Sequence, residues 1–487
     1  MGKLTESYKN SPKQVKAALW FLVCSFLQRG ISVITTPIFT RVLTTAEYGQ
    51  YSTFNSWMSI ITIFITLNLY SGVYTQGLIK NSDDREAYSS SLEGLMTTLV
   101  ACATVAYVLF HNFWNNLFSL TTAQMLCMLV MIWATAVYRF WAAEQRVLLT
   151  YKRLVAVTLI ASCARPVLSL ILVLTASYDR VTARVLGLAI VDMAAFVGLY
   201  YIQMKRGKKF FSGAYWKNAI LFHLPLIPHY LSQTVLSGAD RIMIRSMVGS
   251  SEAGIYGLAY SVSQIMLLFN SALTQTLSPW IYQKIKDKKV QDIHGIAYGS
   301  LLLIAAVNLL LMALAPEVIR IFAPSSYYAA IYVIPPVSMS VIFIFCYDLF
   351  AKFAFYYERT KFIMVASIIA AAANIGLNLV FIPMFGYVAA GYTTLACYMI
   401  YAIAHYLFMN RVCKLDMDGE RPYKTRILLL IIVVFMALGF YFLFTYNFPI
   451  LRYASLAVMV VILILLRKRI RSLVSNLMNM RRSNRKS

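Results

Sequence analysis

The segment "FLVCSFLQRGISVITTPIFTR", residues 21 to 41, is apolar over a bilayer's width yet carries Arg29 near its middle, with Gly30 beside it and Pro37 further on. A helix rises ~1.5 Å per residue, so about 20 residues cross a hydrocarbon core of roughly 30 Å. A guanidinium at that depth costs about 2.5–3.5 kcal/mol on insertion scales, so its retention calls for polar surroundings. The rest of the chain has the same character. Of its 487 residues 60% are hydrophobic and 13% charged, with mean hydropathy +0.67, values that define an integral membrane protein.

A sliding window finds about fourteen apolar segments, centred near residues 28, 61, 102, 131, 164, 192, 231, 266, 305, 342, 372, 398, 436 and 457. Connections are short, the longest roughly 15 to 20 residues, which leaves no room for a soluble domain. Lys3, Lys9, Lys13 and Lys16 precede the first segment as in a signal peptide. The run that follows is too long and lacks a small-residue cleavage site, so it reads as a retained helix.

The 44 Lys and Arg against 19 Asp and Glu give a formal charge of +25, which on a soluble chain would suggest nucleic acid. Here the excess lies between apolar segments, in alternate loops such as "QMKRGKKF", "YQKIKDKKV" and "NRVCKLDMDGERPYKTR", while "HNFWNN" and "PMFGY" carry no Lys or Arg. That bias argues against nucleic acid and predicts both termini in the cytoplasm. The tail "RKRIRSLVSNLMNMRRSNRKS" reads as a solvated stretch against anionic lipid. Cys24, Cys102, Cys127, Cys163, Cys346 and Cys397 sit singly in apolar stretches, with no C-x-x-C pair, and read as small core residues.

"TTAEYGQY" (44 to 51) and "SSEAGIYG" (250 to 257) share Glu-x-Gly-x-Tyr, as Glu47, Gly49, Tyr51 and Glu252, Gly254, Tyr256. Their offset is about 205 residues, or six segments; an even number returns the chain to the same side, which predicts parallel repeats. The glutamates also read as helix-start caps, with Thr44 three residues before Glu47. The expected organisation is an N-lobe over 1–210, a C-lobe over 211–415, and a terminal helix pair with a basic tail over 416–487.

Arg29 is not alone at depth. Arg165, followed by Pro166, is central in the fifth segment, and Asp240 with Arg241 lies in the seventh. Asp192 is central in the sixth; Asp348 and Lys352 belong to the tenth; Arg139 lies nearer a cytoplasmic end. The plain structural role is mutual pairing that locks helices together. Bases outnumber acids, however, and the excess needs water or an anionic ligand. Arg29, Arg165 and Arg241 are therefore the candidate anion binders, because a guanidinium grips phosphate oxygens through paired hydrogen bonds. Asp192, Asp240 and Asp348 are candidates for ion coupling or charge pairing. Gly30, Pro166, Pro225 and Pro228 permit local bending. His223, His229 and His405 read as core residues. Neither H-E-x-x-H, a nucleophile elbow nor a Walker A loop occurs, so no enzymatic motif is present and no cofactor is expected. Energy would come from an H+, Na+ or substrate gradient.

"TTPIFTRVLTTAEYGQYSTFNSWMSI" (35 to 60) and "ANIGLNLVFIPMFGYVAAGYTTLACY" (373 to 398) resemble the Wzx-type polysaccharide or O-antigen flippases of the multidrug/oligosaccharidyl-lipid/polysaccharide (MOP) exporter superfamily. The second stretch carries Asn374, Leu377, Asn378, Ile382, Pro383, Gly386, Ala389 and Ala390 in the family's pattern. The resemblance implies an all-α membrane protein of about 14 helices in two six-helix lobes plus a C-terminal pair, rocking around a cationic cavity. It implies a non-enzymatic flippase of the bacterial inner membrane that moves an undecaprenyl-pyrophosphate-linked oligosaccharide to the outer leaflet for O-antigen, capsule or exopolysaccharide. A monomer working beside a polysaccharide polymerase and chain-length machinery is the expected setting. The alternative is a MATE-like ion-coupled exporter of small molecules, which would favour an acidic cavity.

Overall fold

The described residues of the structure, a computed structural model, are 13–71, 73–177, 179–417, 419–469, 471, 472 and 475; the side chains of 13–15, 18, 19, 22, 29, 73 and 360 are outside them. Lys3, Lys9 and most of the basic tail are therefore also outside the described residues. What is described is helical, without strands, and divides into two compact units, Met1–Thr234 and Val235–Ser487.

Unit 1 contains α1 (Lys13–Val42), α2 (Thr45–Thr66), α3 (Val73–Lys80), α4 (Arg85–Leu109), α5 (His111–Phe118), α6 (Thr122–Val147), α7 (Tyr151–Thr175), α8 (Arg180–Gly207) and α9 (Gly213–His223). Its centre is α8, which packs against α4, α6 and α7, while α1 lies on α7. Small residues permit these approaches. A methyl on Gly187 of α8 would stand 2.6 Å from Ser169 Cα of α7, and one on Gly207 would stand 2.1 Å from the Glu86 carbonyl oxygen of α4. Close backbone approach at small residues is how helices associate where lipid supplies no hydrophobic drive.

The boundary between units falls inside α10 (Ile227–Met247). Unit 2 continues with α11 (Ser250–Ser263), α12 (Met266–Lys286), α13 (Ile293–Ala313), α14 (Ala315–Phe322), α15 (Ile334–Tyr356), α16 (Thr360–Phe385), α17 (Val388–Asp416), α18 (Thr425–Phe444) and α19 (Pro449–Leu465). Here α15 is central and packs against α12, α13 and α17. Its sequence is apolar around most of its circumference, as a helix enclosed by others requires. The terminal pair joins this unit. α18 packs on α13 and α15, and Arg452 Nη2 of α19 meets Glu317 Oε1 of α14 at 2.5 Å.

Eight described helices are long and apolar enough to cross a membrane. The other apolar segments are helical too, but α2 and α10 carry Gln50, Asn55 and Ser56 or Gln233, Asp240 and Arg241 through their middles. Length and apolarity alone thus account for eight of the about fourteen expected crossings. The seventh segment is broken where Pro225 and Pro228 predict it: Leu224–Leu226 form a 3-10 turn between α9 and α10.

Replacing Gly187 by Leu should lower the thermal midpoint of the detergent-solubilised protein, equivalent to about 1–3 kcal/mol, because the Ser169 backbone cannot yield as a side chain would. An unchanged midpoint would mean that α7 and α8 are not held at this distance.

Candidate functional site

The polar side chains buried in each unit form a separate constellation. In unit 1, Arg165 Nε lies 2.5 Å from Asp192 Oδ1, pairing the middles of α7 and α8. Asp192 is buried, and Thr135 of α6 donates to its other oxygen at 3.5 Å. The guanidinium also lies 5.6 Å from the Phe196 ring centre. The sequence offers Arg165 as an anion binder and Asp192 for ion coupling or charge pairing; the structure brings the two together.

One turn along α6 from Thr135 is Arg139. Its Nη1 donates to the Tyr70 hydroxyl at 2.7 Å, and its guanidinium carbon lies 4.8 Å from that ring's centre. Among the described residues, no carboxylate is within ion-pair distance of it. Arg139 lines a cavity of about 350 Å³ with Thr62, Asn68, Thr135, Tyr230 and Gln233 among its neighbours. A guanidinium held by a neutral hydroxyl keeps its charge available to an anion, whereas one held by a carboxylate does not. Sequence reasoning set Arg139 aside as near a helix end. The i, i+4 spacing of Thr135 and Arg139 on one face of α6 is the signal that would have found it.

In unit 2 the centre is Asp240 of α10, which is buried. Its oxygens accept from Tyr256 (2.6 Å), Thr394 (2.8 Å) and the Asn378 amide (2.7 Å). Thr393 donates to Asn378 Oδ1, and Asn374 Oδ1 accepts from Asn378 at 3.4 Å. The residues form a buried set of hydroxyls and amides around one carboxylate, a group that can take up a proton or meet a small cation. Arg241 turns elsewhere: it donates to the Ser237 carbonyl and lies 4.5 Å from the Tyr260 ring centre. Asp348 accepts from Thr274 at 3.4 Å, with Lys352 acting on it from the next turn. The Arg29 side chain lies outside the described residues.

The repeated motif has a use in each unit, carried by its tyrosine. Tyr256 reaches Asp240, while the Tyr51 ring centre lies 3.4 Å from the buried Arg184 guanidinium, whose other side faces Phe39 at 3.9 Å. Glu47 completes a capping box, its Oε2 accepting from the Thr44 amide at 2.8 Å. His405 is a core residue ringed by Tyr347, Phe362 and Tyr401.

A family model described as polysaccharide biosynthesis protein matches residues 15–285, more than half of the chain, and the chain belongs to this family. The MatE model matches residues 225–380. Lsg locus putative protein 1 of Haemophilus influenzae is 26% identical over 205 residues, 39% of this chain and 50% of the relative, so the chain spans half of that relative's length. An uncharacterized membrane protein of the same species is 21% identical over 374 residues, 74% of this chain and 89% of its own. Among solved structures, the lipid II flippase MurJ in an inward closed conformation matches with a TM-score of 0.68 at 13% identity, covering 93% of this chain and all of that one. An inward-facing multidrug resistance MATE transporter of the MOP superfamily matches at 0.62 and 13% identity, covering 80% and 96%. The chain thus shares the fold of these two structures, a flippase and a transporter by their own descriptions.

A double-mutant cycle on Arg165→Gln and Asp192→Asn should return a coupling of about 0.5–3 kcal/mol in thermal or denaturant unfolding, with either single change worse than the pair. Additive effects would dissolve the ion pair as a structural element.

Proposed function

We propose that the protein is a flippase for a polyprenyl diphosphate-linked oligosaccharide, moving it from the cytoplasmic to the outer leaflet of a bacterial inner membrane during surface polysaccharide synthesis. The observation that carries this reading is the Arg139 guanidinium, lining a polar cavity of about 350 Å³ and opposed by no carboxylate among the described residues. Diphosphate oxygens suit that group, and the hydroxyl and amide side chains beside it suit sugar hydroxyls. Arg165 is linked to Thr135 of that cavity through Asp192, and Arg29, Arg165 and Arg241 remain proposed contributors at other stages of the cycle. The prenyl chain would stay in lipid while the head group passes through protein by alternating access, with the break at Leu224–Leu226 as a bending point. Membership of the polysaccharide biosynthesis protein family supports the cargo class. Cytoplasmic termini, a monomeric state, and association with a polymerase and chain-length machinery belong to the same reading. Asp240, with Asn378, Thr393, Thr394 and Tyr256, is the proposed coupling-ion site, for Na+ or H+.

A second reading, a MATE-like exporter of small molecules, draws on the MatE match over 225–380 and on the acidic centre of unit 2. It predicts drug resistance on overexpression.

In a strain lacking the chromosomal copy, Arg139→Ala at native expression should reduce surface polysaccharide about 10- to 100-fold, the loss of charge-assisted hydrogen bonds worth about 1.5–3 kcal/mol, with protein level unchanged. Undiminished glycan would overturn the assignment. For the ion site, replacing choline by Na+ at constant ionic strength, or lowering pH, should raise the thermal midpoint of the wild type but not of Asp240→Asn. Equal responses of both proteins would remove Asp240 from coupling.

A further inference from the structure

Unit 1 holds a second pair of ionisable groups that the transport site does not use. Glu93, in the third turn of α4, is 0% exposed, and Glu144, near the end of α6, is 3% exposed. Neither oxygen of Glu93 nor Oε2 of Glu144 has a hydrogen-bond partner among the described residues, and neither carboxyl is in an ion pair there. Their helices α4 and α6 pack against each other, and a charge on Glu144 acts on Glu93. Two carboxylates so enclosed repel strongly in a poorly polarisable medium, and the stable form of such a pair holds one proton.

A neutral group completes the cluster. α4 and α8 run antiparallel, since Gly207 abuts Glu86 and Ser90 while Tyr200 reaches Thr97. That register places Gln203 level with Glu93. Gln203 is 4% exposed, lies on the buried face of α8 with Phe196 and Leu199, and neither its Nε2 nor its Oε1 has a partner among the described residues. A buried amide with no partner among the described residues, level with a buried carboxyl in the same condition and near a second carboxyl with one such oxygen, is unfavourable unless the groups serve one ligand.

The other titratable groups divide the pair. Tyr200 of α8 interacts electrostatically with Glu93, while Tyr74 of α3, hydrogen-bonded to Ser89, interacts with both carboxyls. On Glu144 act Arg206 of α8 and both Arg85 and Glu86 of α4, with Arg85 Nε itself committed to the Leu78 carbonyl at 2.9 Å. Glu144 therefore stands toward the basic end of the bundle, the "KRGKK" side that the charge bias assigns to the cytoplasm, and Glu93 stands deeper.

We propose that Glu93, Glu144 and the Gln203 amide form a proton-binding site in unit 1, with Glu144 as the entry group and Glu93 as the inner one. One proton is held by the pair, and the amide supplies a hydrogen bond to whichever carboxyl is ionised. The site is separate in sequence and in unit from Asp240, and it does not depend on the identity of the cargo.

Infrared difference spectroscopy of the full-length protein in lipid nanodiscs, titrated between about pH 5 and pH 9, reads this directly through the carbonyl stretch of protonated carboxylic acid. The wild type should lose such a band as pH rises. Glu93→Gln should abolish that titrating band, and Glu144→Gln should move its midpoint by about one pH unit or more. Gln is the uncharged isostere of protonated Glu, so the fold should persist. If Glu93→Gln does not fold, labelling the wild type with dicyclohexylcarbodiimide replaces it: Glu93 should be modified, and less so as pH rises. A band indifferent to Glu93→Gln, or no modification of Glu93 at low pH, overturns the proposal. A band displaced by Na+ at fixed pH overturns the proton as ligand in favour of an alkali cation.

Discussion

A charge enclosed by hydrocarbon and protein cannot rely on water, so each ionisable side chain at depth must find its compensation inside the chain. This protein meets the requirement in different ways. Asp192 takes Arg165 as a counter-ion. Asp240 takes neutral hydrogen-bond donors, from Tyr256, Thr394 and Asn378. Arg184 is sandwiched between aromatic faces, and Arg139 is held by a tyrosine hydroxyl at the wall of a polar cavity.

The mode of compensation separates structural charges from available ones. A carboxylate and a guanidinium in direct contact cancel each other, and breaking them apart leaves a buried charge exposed to the full desolvation cost. Such a pair suits the joint between α7 and α8. A charge compensated by neutral dipoles keeps its monopole, and a ligand of opposite sign can exchange with those dipoles without stranding an ion. By that criterion Arg139 and Asp240 are suited to binding something that must also be released.

The membrane class, the positions of the apolar helices and the break at Pro225 and Pro228 were legible in the sequence because they follow from hydropathy and from proline's missing donor. The depth of a charge along its segment was legible too, which is why Arg165, Asp192 and Asp240 were singled out. Its partner was not, because pairing depends on which faces of α6, α7 and α8 meet. Arg139 was passed over for that reason: depth counted along α6 says nothing of the cavity bounded by Asn68, Tyr230 and Gln233. The repeat was visible as Glu-x-Gly-x-Tyr; its glutamate caps α2 at Glu47, while the start of α11 at Gly249 has no side-chain cap from Glu252. Its tyrosine showed its use only once Tyr51 and Tyr256 were placed against Arg184 and Asp240.

The central claim is that Arg139 offers an uncancelled positive charge to a lipid-borne diphosphate. Native mass spectrometry of the purified protein with a polyprenyl diphosphate and with the corresponding uncharged polyprenol tests it most directly. The account predicts a one-to-one complex with the diphosphate, at least about tenfold weaker for Arg139→Ala, and no such discrimination for the polyprenol. Equal retention of both lipids by the wild type, or undiminished diphosphate binding by the variant, would contradict it.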